Sequence, residues 1–426
     1  MVRAATQTGG RAATGAVIPG LHALSIGRPA LPEPDGFHWK LLSDLARLES
    51  GHTPSRKVPE YWDGGIPWIG IRDATGSHGK EIADTLQHIS KAGLENSSAR
   101  ILPEGTVCLS RTASVGYVVE MAGPMATSQD FVNWVCGPDL SSSYFRYLLV
   151  SEQASVRRFS YGTTHQTVYF PEAKAFHVLV PSRTRQDAVT EVLGALDDKI
   201  TANSEIAKSA SMLAQLIFVQ ATEGVSVRPM SELVSPILGG TPSRANLDFW
   251  GGTHLWASAK DITGAQNGVV VATEESISDV AIRNTKAKPL PVGSVILTAR
   301  GTVGAVARLA VPGSFNQSCY GFVPGEVPSS ILYLGILNAM QRAKAIAHGS
   351  VFDTITMKTF DHLDFPAFER GAADSLDREI APLLDTVVAK VKENKTLAEL
   401  RDTLLPELMS GRLRVKDIES VVTDAV

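Results

Sequence analysis

The chain repeats itself at a separation of 188 residues, and this constrains its fold more than any other feature. Gly51-His-Thr53-Pro54-Ser55-Arg56 reappears as Gly239-Gly-Thr241-Pro242-Ser243-Arg244. Tyr61-Trp62 returns as Phe249-Trp250, Trp68 as Trp256, and Arg72-Asp73 as Lys260-Asp261. Nine of the 23 positions in 51–73 are identical to their partners in 239–261, where roughly one or two would coincide by chance. The same offset joins Leu102-Pro103-Glu-Gly105 to Leu290-Pro291-Val-Gly293, Val115-Gly116 to Val303-Gly304, and Gln129 to Gln317. Near Gly162 and Gly349 it becomes 187, which marks a one-residue loop difference. A period this long means a duplicated domain, not a solenoid.

Each copy has the same internal plan. The front part carries short apolar runs punctuated by Gly and Pro, such as Gly105 to Ser110, Val115 to Glu120 and Ser294 to Thr298. These predict strands joined by turns. Short helices over Ser142–Val156 and Ser329–Ala347 make the front part a mixed α+β domain. The rear part is a long helix. From Arg185 to Ala221 there is no Pro and only Gly194. Core positions recur at Val189, Leu193, Leu196, Ile200, Asn203, Ala207, Ala210, Ala214 and Ile217, in the alternating steps of four and three that make a coiled-coil seam. The second copy runs Ile380, Leu384, Val387, Val391 and Asn394, then shifts to Leu397, Leu400, Leu404 and Leu408. Two such helices in one chain are expected to pack on each other, with Asn203 and Asn394 fixing register at a cost in stability. The competing reading is that each helix only covers its own domain. A helix from Gln186 to Ala221 would span about 54 Å.

The expected divisions are a flexible tail over 1–37, a first α+β domain over 38–184, a helix over 185–223, a second α+β domain over 224–373, a helix over 374–414, and a tail over 415–426. The N-terminal segment is rich in Gly, Ala, Thr and Pro and has no acid before Glu33, which suits a flexible terminus or an over-long start. Three well-separated cysteines, Cys108, Cys136 and Cys319, give no disulfide framework and no metal-ligand spacing, so a reducing cytoplasm is expected. No membrane span is expected either.

Charge follows the same divisions. The whole chain has 40 basic and 44 acidic residues, a net charge of −4. The first α+β copy is neutral, the second carries +1, each helical segment carries −3 and the N-terminal segment +1. The acidity belongs to the helices, so either globular copy can offer a basic face to a nucleic acid. No Walker pattern, G-x-G-x-x-G turn, H-E-x-x-H or G-x-S-x-G is present. No Asn-Pro-Pro-aromatic run marks an adenine methyltransferase site, and no cofactor is expected.

Basic, hydroxyl and amide residues near expected loops, with one aspartate, are the candidates for DNA contact. In the first copy they are Arg56, Lys57, Arg72, Arg111, Thr112, Arg157, Arg158, Thr164, His165 and Gln166. In the second they are Arg244, Lys260, Arg300, Thr302, Lys344, Asp353, Thr354 and Lys358. Arg reads guanine edges, Gln reads adenine, and Thr reaches bases or phosphates. Ordinary solvated loop charge is the competing reading for each. Trp62, Trp68, Trp250 and Trp256 are expected in the core. Asp73 and Asp261 are expected to fix a loop, and Gln129 and Gln317 are open between structural amide and base reader.

Taken together, residues 38–414 resemble the DNA-specificity subunit of type I restriction-modification systems. The resemblance rests on Leu-Ser-Asp44-Leu followed by Gly51-x-Thr53-Pro54-Ser55, echoed by Ser231-Glu232-Leu and Gly240-Thr241-Pro242-Ser243. It rests also on Trp68-Ile-x-Ile-Arg-Asp73, on Leu196-Asp197-Asp-Lys-Ile200-x-x-Asn203, and on Leu408-Met-Ser410-Gly411-Arg412-Leu413. It implies two tandem α+β target recognition domains related by a pseudo-twofold duplication, with the two helices in an antiparallel coiled coil. Each domain would read half of a split, asymmetric site in double-stranded DNA. Modification subunits, two of them, would dock beside the helices and methylate adenine, and restriction subunits would join that core. The chain itself would not be catalytic. A specificity module of another phage-defence assembly, a protein-binding scaffold with duplicated domains, and an enzyme with an unrecognised site remain as alternatives.

Overall fold

The chain divides into two compact units, Met1–Asp197 with Glu399–Val426, and Asp198–Ala398. The structure, a computed structural model, describes residues 15–162, 166–346 and 354–417.

In the first unit a five-stranded sheet runs in the order Ala46–Ser50, Phe131–Cys136, Thr106–Ser110, Val118–Met121, Lys80–Ile82. Its middle strand, Thr-Val-Cys-Leu-Ser, is buried at all five positions. That explains why it reads as a continuous apolar run rather than an alternating one. The helix Ser142–Ser151 buries Tyr144, Phe145 and Leu148 in the same core as Trp134, Val107 and Leu109. A three-stranded sheet places Trp62–Ile69 between Ala126–Thr127, parallel to it, and His88–Ile89, antiparallel.

The second unit repeats this plan pair by pair. Its five-stranded order is Ile237–Leu238, Cys319–Phe322, Val295–Thr298, Val306–Leu309, Val269–Val270. Asn133 faces Cys108 in the first unit and Gly321 faces Ile296 in the second, both partners displaced by 188. Trp62 pairs with Ile89 and the register breaks before Ile66; Trp250 pairs with Ile277 and breaks before His254. The duplication is therefore one of strand register and bulge position as well as of sequence.

Two long helices complete the units, Arg183–Ala221 and Arg370–Met409. They pack together. In the second unit Ala214 and Phe218 share a cluster with Leu376, Ile380 and Leu384, and Ala207 shares one with Val387 and Val391. Asn394 Nδ2 donates to Ile200 O at 3.2 Å and to Ser204 Oγ at 3.0 Å. Partners fall as their numbers rise, so the helices run antiparallel. Asn203 is fully buried in the same seam, and Ile200 is half-buried. In the first unit Val189 and Leu193 meet Leu405, Leu408 and Met409, Leu196 is half-buried, and Arg401 Nη1 bonds Asp197 Oδ1 at 2.7 Å.

The seam differs from expectation at one place. The expected shift to Leu397 and Leu400 does not occur, since Leu400 is 43% exposed. The four-three alternation continues unbroken through Asn394, Ala398, Arg401, Leu405 and Leu408. Arg401 fills a seam slot with its stem and carries its head to Asp197 and Asp402, as a long basic side chain can. The helix ends at Gly411, whose φ of +72° supplies the left-handed turn that lets Leu413 N–H reach Glu407 O at 3.1 Å.

The expected flexible tail over 1–37 is corrected for residues 15–37; residues 1–14 lie outside those described. Ile18–Pro19 and Leu24–Ile26 join Phe37–Leu41 and Phe176–Pro181 in a four-stranded sheet, with Ala23, Leu24 and Ile26 fully buried. The anchor is Glu152. Its buried carboxylate accepts the N–H groups of Leu21, His22, Ala23 and Leu24 at 2.5–3.2 Å. Residue 340, the counterpart of Glu152, is a buried methionine, and among the described residues the corresponding sheet of the second unit pairs Val227–Pro229 with Asp364–Pro366. All three cysteines are free, and burial pushes the Cys136 and Cys319 thiols up to about 12. No helix among the described residues is long and apolar enough to cross a membrane.

Glu152→Gln turns an amide N–H₂ toward a row of N–H donors. It is expected to cost the first unit about 3 kcal/mol in urea unfolding and to open residues 15–27 to limited proteolysis.

Candidate nucleic-acid interface

The Gly-x-Thr-Pro-Ser-Arg loop is held by two indoles. Trp68 Nε1 donates to His52 O at 3.0 Å and Trp62 Nε1 to Ser55 O at 3.2 Å. In the second copy Trp256 donates to Gly240 O at 2.9 Å and Trp250 to Ser243 O at 3.2 Å. The rings of each pair meet edge to face, with centroids 5.2 Å and 5.0 Å apart. Trp68 and Trp256 are buried, while Trp62 and Trp250 are half-buried. The loop also presses on the strand end behind it. A Cβ at Gly51 would lie 2.1 Å from Ser128 O, and one at Gly239 would lie 2.1 Å from Asn316 O. Thr53 Oγ1 donates to Gln129 Oε1, and Gln317 N–H to Thr241 Oγ1 at 3.4 Å. Both glutamines thus brace the loop. Asp73 accepts the N–H groups of Gly70 and Leu86, and Asp261 those of Ser258 and Glu274, so both fix the following loop.

On this frame lies an arginine. The Arg56 guanidinium sits 4.2 Å from the Trp62 ring centroid, and Arg244 sits 3.8 Å from that of Trp250. From here the copies diverge. Arg56 Nη2 donates to the neutral Gln87 Oε1 at 3.1 Å, and together with Arg72 it lines a cleft that includes Gln87, Ser128 and Asp130. Lys57 is exposed beside it. Arg244 instead forks onto the Glu275 carboxylate, and Lys260 Nζ bonds Glu274 at 2.8 Å. These bonds hold both cations above their ordinary pKa and the Glu275 carboxyl below its own.

A second cluster gathers at a hairpin rim. In the first copy Arg111 Nε donates to Gln129 O at 3.1 Å, and its guanidinium lies 5.0 Å from the Phe170 ring. Burial lowers its pKa against the pull of Asp130. Thr112 Oγ1 bonds Thr167 Oγ1 at 3.0 Å, next to exposed Gln166. Arg157 Nε reaches Val115 O at 3.2 Å, and its stem covers Gly116. In the second copy Arg300 and Thr302 are exposed on the matching turn, and Lys344 Nζ reaches Gly304 O at 3.1 Å. Ile355 N–H bonds Ala299 O at 3.0 Å, as Val168 N–H bonds Arg111 O at 2.8 Å. This brings Thr354 beside Arg300. The structure thus collects Arg111, Thr112, Arg157 and Gln166 at one rim, and Arg300, Thr302, Lys344 and Thr354 at the other. Arg158 is not part of it, since it turns to Pro19 O. Lys358 is exposed on the short helix after Thr354. Thr164, His165 and Asp353 lie outside the described residues.

Glu274, Glu275 and Gln87 escaped the sequence reading, though the 188-residue offset aligns Leu86-Gln87 with Glu274-Glu275. Among the described residues no cluster of His, Cys, Asp and Glu could hold a metal ion. Gly51→Ala and Gly239→Ala are each expected to cost about 2 kcal/mol in urea unfolding. Gly76→Ala, with nothing within 4 Å of its Cβ, is expected to be neutral or to add about 0.5 kcal/mol.

Comparison with known proteins agrees with this arrangement. The family described as "Type I restriction modification DNA specificity domain" matches twice, over residues 34–210 and 223–401. The MjaIX type I restriction enzyme specificity subunit of Methanocaldococcus jannaschii is 23% identical over 417 residues, covering 90% of this chain and 95% of that one. The HindI specificity subunit of Haemophilus influenzae is 25% identical over 195 residues, covering 45% of this chain and 42% of that one. Among solved structures, the type I restriction-modification S subunit from M. genitalium superimposes with a TM-score of 0.57 at 13% identity, covering 87% of this chain and 96% of that one. With both copies matched in order, the chain belongs to the type I restriction-modification DNA-specificity family.

Proposed function

We propose that this chain, as the specificity subunit of a type I system, reads an asymmetric bipartite sequence in double-stranded DNA, one half with each α+β copy. It directs adenine methylation and restriction carried out by partner subunits in the cytoplasm. The observation that carries this reading is the contrast between frame and rim. The Gly-x-Thr-Pro-Ser-Arg loop and its Trp pair are the same in both copies. The rim residues are not: Arg111-Thr112 stands against Ala299-Arg300, and Arg157 against Lys344. One scaffold with two different rims suits two different half-sites, because base edges are read by the side chains that reach them.

The helices suit protein partners better than DNA. Each helical segment is acidic, and the central helix exposes Ile206, Met212, Leu213, Leu216 and Val219. These apolar side chains fit modification subunits, two in the full assembly, with restriction subunits joining that core. A methyltransferase that flips its target base must sit close to the recognition domains.

Mapping methylated adenines in the host genome with and without this gene is the direct test. The expected result is loss of one bipartite motif, and an unchanged methylation map would refute the reading. Arg300→Ala combined with Thr302→Ala is expected to relax one half of that motif by about 1–3 kcal/mol of discrimination, leaving the other half intact. Equal relaxation of both halves would contradict one-copy, one-half reading.

A further inference from the structure

The charge difference beside the two Trp pairs points to unequal roles for surfaces that are otherwise alike. In both copies an arginine guanidinium sits over the half-buried indole of the pair, 4.2 Å and 3.8 Å from its ring centroid, which limits the freedom it has left to lose. In the second copy that cation is cancelled at once by the Glu275 fork, and Lys260 is cancelled by Glu274. In the first copy the same two positions are Gln87 and Leu86. Among the described residues neither Arg56, Lys57 nor Arg72 is paired with a carboxylate, although the cleft contains two. Asp73 spends its oxygens on the Gly70 and Leu86 N–H groups. Asp130 accepts from Ser128 Oγ and faces Arg111.

We infer that Arg56, Lys57 and Arg72 of the first copy form a seat for a DNA backbone phosphate, and that Glu274 and Glu275 close the equivalent surface of the second copy to phosphate. The inference rests on the DNA-reading function proposed above and divides it unevenly between the copies. A phosphate presents several acceptor oxygens, and two guanidinium groups lining one cleft can donate to them as charged hydrogen bonds. Gln87 supports the first of these groups without neutralising it. The second copy must then take its phosphate contacts elsewhere, with exposed Arg300, Arg342, Lys344 and Lys358 among its available cations.

The test is the salt dependence of duplex binding by the full chain assembled with its modification subunit. The slope of log K against log salt counts phosphate contacts, at about 0.9 for each. Arg72→Gln and Gln87→Glu are each expected to flatten the slope by about 0.9; the second leaves the stacked arginine in place and pairs it with a carboxylate. Glu275→Gln is expected to steepen it by a similar amount. A wild-type slope in both Arg72→Gln and Gln87→Glu overturns the seat, and an unchanged slope in Glu275→Gln overturns the closure. If the unmodified complex shows neither salt sensitivity nor preference among duplexes, the DNA-reading function itself falls.

Discussion

Two indole N–H groups organise each recognition copy. A loop of Gly, Thr, Pro and Ser has few apolar groups to bury, so it needs polar partners to keep one conformation. Trp68 and Trp62 supply them by donating to His52 O and Ser55 O while packing edge to face. Such a ring pair adds roughly 1 kcal/mol beyond its area. The loop so fixed can approach the chain at Ser128 closely enough to require glycine at 51, and it lays Arg56 over the exposed ring face. The geometry of the cleft follows from that one arrangement, which recurs in the second copy on seven shared residues, Gly51, Thr53, Pro54, Ser55, Arg56, Trp62 and Trp68 with their counterparts.

Much of the architecture is legible in the sequence because the repeat is held by local constraints. The tryptophans, Gly51 and Asp73 recur where a bulge, a close approach or a loop needs them, so matching residues mark matching strands. The N-terminal strands escape for the opposite reason. Residues 15–27 are Gly-rich and short of alternation, and what orders them is a carboxylate about 130 positions away. Glu152 has no counterpart in the second copy, so the repeat gives no warning of it. The helix seam misleads through its leucines. Leu400 offers an apolar side chain in the wrong place, and Arg401 hides an apolar stem behind a charge. The rim is legible only as composition. Its assembly depends on backbone bonds such as Val168 to Arg111 and Ile355 to Ala299, which join segments far apart in sequence.

The buried charges show how far the copies have separated beneath a common backbone. Glu120 and Arg308 hold the same place in the five-stranded sheet, and both are almost wholly buried. Glu120 is met by Arg146 at 2.9 Å, whereas Arg308 Nη2 donates to Leu384 O at 2.8 Å with Asp385 at 3.6 Å. In the first unit the charge ties the sheet to its own short helix, and in the second it ties the sheet to the long terminal helix. A buried ion left without its partner is costly, by roughly 3–5 kcal/mol. Glu120 therefore depends on Arg146, whereas Arg308 is held mainly by a main-chain carbonyl of the terminal helix.

The same logic separates scaffold from reader in the duplicated surface. A residue present in both copies cannot by itself distinguish two half-sites, so Gly51, Thr53, Trp62 and Trp68 with their counterparts belong to the frame. Discrimination must come from side chains that differ and that reach outward. The rim differs between the copies: Thr112 and exposed Arg300 occupy one position, and Arg157 and Lys344 cover the same turn glycine. Arg56 and Arg244 fall between these classes, alike in type and stacking but unlike in charge balance. A shared cation that is free in one copy and neutralised in the other can change affinity without reading sequence, which is the behaviour of a phosphate contact rather than a base contact.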